Sequence, residues 1–246
     1  MLENFKFYEV GGKVRDEILG FTSKDVDYVA VPSGDLLEQY TKAEDMFNVL
    51  VEYLTKEGFT LFLVTPNCFT VRAMFPKEHQ YTGVADFVMA RKEIGYIEGT
   101  RTPIIQPGTL YDDLERRDFT LNALARNDDG TIIDYFDGLK HLKLGVLRTP
   151  LDIEVTFNDD PLRILRAIRF AITKDLIIEP EMGYIIRKYD YKNKMDVVSG
   201  ERIREELYKC FKYDTMKTLE YLNSYPTLRD YIFNKTKLWL KPTFEE

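Results

Sequence analysis

The sequence predicts an α+β protein in two parts, a head built on a small mixed sheet and then an all-α unit. Three observations carry this. Runs of β-branched and aromatic residues ("VDYVAV", "FTLFLV", "FTVRAMF", "VADFVMA") alternate with helical patterns up to about residue 146. Beyond that point strand signals fade and apolar residues recur at helical spacing. Pro150, in "LRTPLDIEV", interrupts regular structure where the two textures meet. The expected division is residues 1–146 for the head and 147–246 for the helical unit.

In chain order, "GKVRDEILG" reads as a short helix opened by a glycine pair, and "VDYVAV" follows as a strand. "DLLEQYTKAEDMFNVLVEYLTKEG" reads as one long helix closed by Gly58. Three strands come next. A further helix is expected through "LERRDFTLNALAR", then a turn at residues 127–130 and a strand "TIIDYF". In the second part, "DDPLRILRAIRFAITK", "PEMGYIIRKYDY", "SGERIREELYKCF" and "DTMKTLEYLNSY" all carry helical spacing. Asp159 or Asp160 supplies an N-cap to the first of these, and Pro161 suits its first turn.

Composition narrows the function classes. With 44% hydrophobic and 30% charged residues the chain is globular, and a net charge of −7 excludes a bulk polycation. RNA binding would need a local patch, and residues 163–194 offer one, with eight Lys or Arg against four Asp or Glu. No apolar run approaches the roughly 20 residues of a membrane span, so no membrane partner is expected. "MLENFKFYEV" lacks the layout of a signal peptide. Cys68 and Cys210 are expected to be buried, inert thiols of a reduced, cytoplasmic protein. His79 and His141 are too few and too scattered for a zinc site.

The stretch "VGGKVRDEILGFTSKDVDYVAV" carries the chemistry. Asp25 and Asp27 point to one face of a strand, where two carboxylates repel and need a cation between them. Mg²⁺, held by carboxylates and substrate phosphates, answers that need; a wet strand end is the alternative. Gly11 and Gly12 let backbone approach a phosphate closely, and Arg15, one turn on, adds a fixed guanidinium. No G-x-x-x-x-G-K-[ST] loop is present. A salt-bridged Arg15–Asp16 turn is the alternative on this fragment alone.

This stretch resembles the first motif of the class II tRNA nucleotidyltransferases, the CCA-adding enzymes and bacterial poly(A) polymerases, within the polymerase β-like nucleotidyltransferase superfamily. "DLERRDFTLNALA" is similar to the family's second motif. The resemblance implies that Arg117 contacts the incoming nucleotide while Arg116, Asp118 and Asn122 shape the same pocket. "VADFVMARKE" resembles the segment carrying a third acid, here Asp86, and "SGERIREEL" the family's neck.

"FNDDPLRILRAIRFA" adds a cationic strip. Arg163, Arg166 and Arg169 spread over an arc of roughly 120°, while Ile164, Leu165 and Ile168 occupy another. Arginine without compensating acid inside the helix favours an anionic partner. The resemblance implies that Asp160 and Arg163 read the incoming base, a carboxylate and a guanidinium imitating a complementary base edge. This chain has Asp159 where bacterial members carry Glu.

Together the motifs imply an RNA nucleotidyltransferase that adds or repairs the 3′-terminal CCA of tRNA from CTP and ATP. The RNA 3′-hydroxyl attacks the α-phosphate and pyrophosphate leaves, with Mg²⁺ on Asp25 and Asp27. Gly12, Arg15 and Arg117 would orient the triphosphate, and Arg166 and Arg169 would support nucleotide or primer. Familiar members continue into body and tail domains, so the chain resembles a short form. Alternatives are a relative adding only CC, only A or a poly(A) tail, and a non-catalytic RNA-binding descendant. An antibiotic- or toxin-type transferase would share the acid pair but not the later motifs.

Overall fold

The computed structural model describes residues 4–22, 26–79, 81–100 and 102–236, so Asp25 lies outside the described residues. The chain forms two compact units. The first comprises the described residues up to Gly95 and those from Pro103 to Leu139; the second comprises Tyr96–Thr102 and the residues from Lys140 onward. In chain order the first unit runs β1 (Phe5–Val10), α1 (Gly12–Ile18), β2 (Val26–Pro32), α2 (Gly34–Gln39), α3 (Ala43–Lys56), β3 (Thr60–Thr65), β4 (Thr70–Met74) and β5 (Val84–Met89). A ribbon of β6 (Arg91–Tyr96) and β7 (Pro103–Pro107) follows, then α4 (Leu110–Glu115), β8 (Leu124–Arg126) and β9 (Ile132–Asp134); α5 (Gly138–Leu144) begins in the first unit and continues into the second.

Seven strands make one mixed sheet in the order β3-β4-β5-β2-β1-β8-β9, with β2 and β5 parallel and the other neighbours antiparallel. The sheet is wider than the sequence suggests by β1 and β8, the latter only three residues long and too short to show a period, while β9 falls within the expected "TIIDYF". Side chains alternate along β2. Val26, Tyr28 and Ala30 pack in the layer that also holds Phe47, Leu50 and Leu54 of α3. Val29 and Val31 pack on the opposite face, with Leu110 and Leu114 of α4. Burying each of these large side chains contributes about 1.5–3 kcal/mol.

Two expected helices are broken. The long one divides into α2 and α3 because Tyr40 turns extended (φ −119°, ψ 124°) and packs against the core. Helix propensity is weak at an aromatic followed by a β-branched residue, and tertiary packing wins. α3 then ends at Gly58, whose left-handed φ of 83° lets Phe59 N–H reach Leu54 C=O at 3.0 Å. The helix expected over "LERRDFTLNALAR" stops at Glu115. Asp118 takes the backbone N–H of Phe119 (2.9 Å), a local bond that competes with the helix, and the chain passes through a short turn at Thr120–Asn122 into β8.

The second unit holds β10 (Val146–Leu147), α6 (Ile153–Asp159), α7 (Leu162–Thr173), β11 (Ile177–Ile178), α8 (Pro180–Lys188), α9 (Tyr191–Lys194), α10 (Gly200–Tyr213), α11 (Thr215–Ser224) and α12 (Pro226–Thr236). Its two short strands pair in parallel, and the rest is helical. α7 packs chiefly on α10, burying Ile164, Leu165 and Ile168 of one and Ile203 and Leu207 of the other. No helix among the described residues is long and apolar enough to cross a membrane.

The two thiols differ, against the expectation that both are buried. Cys210 lies in the α7–α10 core, while Cys68 is half-exposed. Burial, with Glu206 nearby, pushes the Cys210 thiol up to about 12. A thiol-reactive dye at pH 8 is expected to label one cysteine in the native protein and two in denaturant. Rapid native labelling of both would contradict this packing.

Candidate functional site

The register of the sheet assembles the site. Asp27, near the start of β2, lies opposite Val10 on one side and beside Asp86 of β5 on the other; Asp86 in turn faces Arg72 of β4. Adjacent strands are about 4.8 Å apart, so the Asp27 and Asp86 carboxylates are neighbours on one face. Arg72 grips Asp86 with a two-point fork, Nε at 2.9 Å from Oδ1 and Nη2 at 3.2 Å from Oδ2. Among the described residues no three His, Cys, Asp or Glu side chains are gathered as a metal cluster. Asp27 and Asp86 make two.

Gly11 ends the neighbouring strand in a left-handed conformation (φ 74°). A Cβ there would stand 3.2 Å from Asp27 Oδ2 and 3.3 Å from Arg117 Nη1. A carboxylate and a guanidinium therefore converge on a position that lacks a side chain.

Arg117 is held from behind. Its Nη2 donates to Asp113 Oδ2 (3.0 Å) and its Nη1 to the Asn122 carbonyl (3.2 Å). Among the described residues its Nε is buried with no hydrogen-bond partner, a cost the fold carries at this position. Asp113 is fully buried and also takes Arg116 Nη2 at 2.6 Å. Burial alone would raise its carboxyl, but Arg116 and Arg117 outweigh that and hold it below the usual carboxylate range. Arg116 also reaches Glu93 (3.6 Å), which Arg91 meets at 3.2 Å. Arg91, Arg116 and Arg117 thus form one linked set with Glu93 and Asp113, and Arg117 is its member beside Gly11.

Arg15 faces inward rather than standing free for phosphate. It is 7% exposed, with Nε on Asp16 (2.8 Å) and Nη1 on Asn122 Oδ1 (2.5 Å). Asn122 Nδ2 donates to Asp118 (2.8 Å), so Arg15, Asn122 and Asp118 form one buried chain of hydrogen bonds. Gly12 opens α1, which is only seven residues long, so its dipole adds little.

In the second unit, Asp160 Oδ1 accepts the Leu162 N–H (3.0 Å), capping the chain at Pro161 as it enters α7. Arg163 is half-buried and donates to the Thr156 carbonyl (3.3 Å). Arg166 and Arg169 lie along the same helix, but the strip is not without acid. Buried Glu206 of α10 pairs with Arg169 and stands 4.0 Å from Arg166. The sequence reading passed over Asp113, Arg72 and Glu206. Asp113 had a signal, since it precedes Arg116 and Arg117 at i,i+3 and i,i+4; the others pair across distant segments.

Residues 7–148 match the family model described as the Poly A polymerase head domain. The chain belongs to that family. It is 33% identical over 208 residues to a multifunctional CCA protein of Nitrosomonas eutropha, covering 82% of this chain and 43% of that one. A CCA-adding enzyme of Leuconostoc mesenteroides is also 33% identical, over 205 residues, with 83% and 45% covered. The chain thus spans under half the length of these relatives. Among solved structures, the Thermotoga maritima CCA-adding enzyme complexed with tRNA superposes with a TM-score of 0.70 at 27% identity, covering 94% of this chain and 49% of that one. A tRNA nucleotidyltransferase bound to a primer tRNA and an incoming ATP analogue gives 0.68 at 29%, covering 93% and 59%.

Asp113→Asn would leave two half-buried guanidiniums short of a counter-charge. It is expected to cost about 3–5 kcal/mol at neutral pH, measured by denaturant unfolding. A depressed native pKa stabilises fully above the ordinary carboxylate value of about 3.9 and loses that contribution as pH falls towards the native value. The gap between variant and wild type should therefore begin to narrow below about pH 4.

Proposed function

We propose that the chain carries the catalytic part of an RNA nucleotidyltransferase that adds or repairs the 3′-terminal CCA of cytoplasmic tRNA, using CTP and ATP. Residues 1–146 would be the catalytic head, and residues 147–246 the neck that selects the base and holds RNA. The observation that carries this reading is that Asp27 Oδ2 and Arg117 Nη1 stand 3.2 Å and 3.3 Å from where a Cβ of Gly11 would lie. An acid for a cation and a guanidinium for phosphate meet where backbone alone can lie.

The donor set fits Mg²⁺. Asp27 and Asp86 offer hard carboxylate oxygens on adjacent strands, and Asp25 shares the parity of Asp27 in sequence. When bound, Mg²⁺ would supply charge neutralisation for the attacking and leaving oxygens. Arg117 would take triphosphate oxygens beside Gly11, where its Nη1 stands, with Gly11 and Gly12 giving close approach. Arg15 would act as a positioning residue, fixing Asn122, whose carbonyl holds Arg117. Positioning and charge stabilisation would then be the protein's main contribution. Asp160 and Arg163 would read the base edge, with Arg166 and Arg169 supporting nucleotide or primer.

The test is incorporation of labelled CMP and AMP into tRNA lacking its terminal nucleotides. CTP and ATP supplied separately and together distinguish CCA addition from CC, A or poly(A) synthesis. Asp27→Ala and Asp25→Ala are each expected to reduce incorporation at least about a thousandfold without a change in melting, on the scale of losing a group that acts in the transition state. Incorporation at the wild-type rate in either variant would remove that carboxylate from the chemistry. Arg163→Ala should blur the choice between C and A. If competition between CTP and ATP gives the wild-type ratio, the base-reading role fails.

A further inference from the structure

Away from the arginines, the sheet continues past Asp27 through β5 and β4 to its edge at β3. A cavity of ≈270 Å³ opens there, lined by Asp27, Asp86, Arg72, Phe62 and Val84, among others. Three of these side chains have no part in the chemistry above. Phe62 is 55% exposed, on a strand whose Leu63 and Val64 are exposed as well. The β3–β4 ladder slips between Leu61 and Leu63, so Phe62 sits at a bulge. Bulges at sheet edges re-aim a side chain, and this one belongs to the lining of the cavity. Arg72 commits Nε and Nη2 to Asp86 and leaves its Nη1 donors for another acceptor. Val84 adds an exposed apolar surface.

Phosphoryl transfer places attacking and leaving oxygens roughly in line on opposite sides of phosphorus. With Gly11 and Arg117 receiving the triphosphate on the β1 side of Asp27, the attacking strand has to arrive from the β5–β4–β3 side. We propose that Phe62, Arg72 and Val84 form the seat of the 3′-terminal nucleotide of a single-stranded RNA acceptor. Its base lies against Phe62 and Val84, and its backbone phosphate meets Arg72. The inference rests on the nucleotide-adding reading above and names the second substrate's place in that same site.

An aromatic ring beside a cation is the pattern by which proteins hold single strands with little sequence preference. Arg72 also answers an electrostatic need, because a polyanion entering beside Asp27 and Asp86 requires a compensating charge. A second copy pairing along the β3 edge is the competing occupant. A bulged strand twists its hydrogen-bonding edge and disfavours continued pairing, so the observations favour RNA.

The test uses the full chain with a fluorescent tRNA ending before its CCA, anisotropy for RNA affinity and calorimetry for CTP. Phe62→Ala is expected to weaken RNA binding about tenfold and to raise the RNA KM, with CTP affinity unchanged; Phe62→Trp restores both. Arg72→Ala should make the slope of log affinity against log salt shallower by about 0.7, the share of one phosphate contact on a single strand. Wild-type RNA affinity in Phe62→Ala and an unaltered salt slope in Arg72→Ala overturn this proposal while leaving nucleotide addition by the parent chain intact. Absence of CTP binding and of nucleotide addition in the parent chain overturns the underlying reading instead. Loss of self-association in Phe62→Ala at unchanged RNA affinity assigns the edge to a second copy and also overturns the proposal.

Discussion

One buried carboxylate sets the geometry of the head. Asp113 is fully enclosed, accepts from Arg116 and Arg117, and stays ionised because those two cations outweigh its burial. Glu93 stands farther off, 3.6 Å from Arg116. The placement of Arg117 therefore depends on Asp113. Its rigidity passes to the site through Arg117, which is clamped at both Nη atoms while Nε is left without a partner. An arginine tied at one end only would lose more conformational freedom on meeting a ligand than one already fixed.

Arg117, just past α4, stands beside Gly11 on the β1 side of Asp27, and the carboxylates of Asp27 and Asp86 lie on the adjacent strands β2 and β5. Asp113 holds Arg117 from behind, and Arg72 holds Asp86 from the other side. A polyanion and a divalent cation can then both be accommodated at adjacent positions without first breaking a direct Arg117–Asp86 bridge. This is preorganisation in its electrostatic sense: the dipoles and charges stand in place before any reacting group arrives.

The legible part of this arrangement was local. "VDYVAV" declares its strand by β-branched residues, and the parity of Asp27 with Val29 and Val31 follows from period two alone. The faces of α7 follow from its 3.6-residue period in the same way. Illegible were relations that depend on register between distant segments. Arg72 and Asp86 are fourteen residues apart and meet only because β4 and β5 pair in one register. Shifting either strand by one residue would turn one partner to the opposite face. Glu206 likewise meets Arg169 from thirty-seven residues away, so an arginine strip that looks uncompensated in sequence is compensated in space. The helix misread at "LERRDFTLNALAR" failed for a different reason, a short-range bond from the Asp118 side chain to the next backbone amide.

Gly11 joins the two halves of the argument. Its left-handed φ favours glycine on backbone grounds, and its surroundings require the same residue independently, because Asp27 and Arg117 each lie closer to an added Cβ than ordinary packing allows. The steric reason alone could be met by other means, since a flexible arginine can withdraw, but the backbone (φ 74°, ψ −136°) lies outside the left-handed helical region that Asn tolerates. Here the arginine cannot withdraw, being clamped by Asp113 and the Asn122 carbonyl, and Asp27 is fixed by strand pairing on both sides. The glycine is thus a consequence of the rigidity of its neighbours. Backbone is the one surface thin enough to bring a phosphate between a fixed acid and a fixed cation.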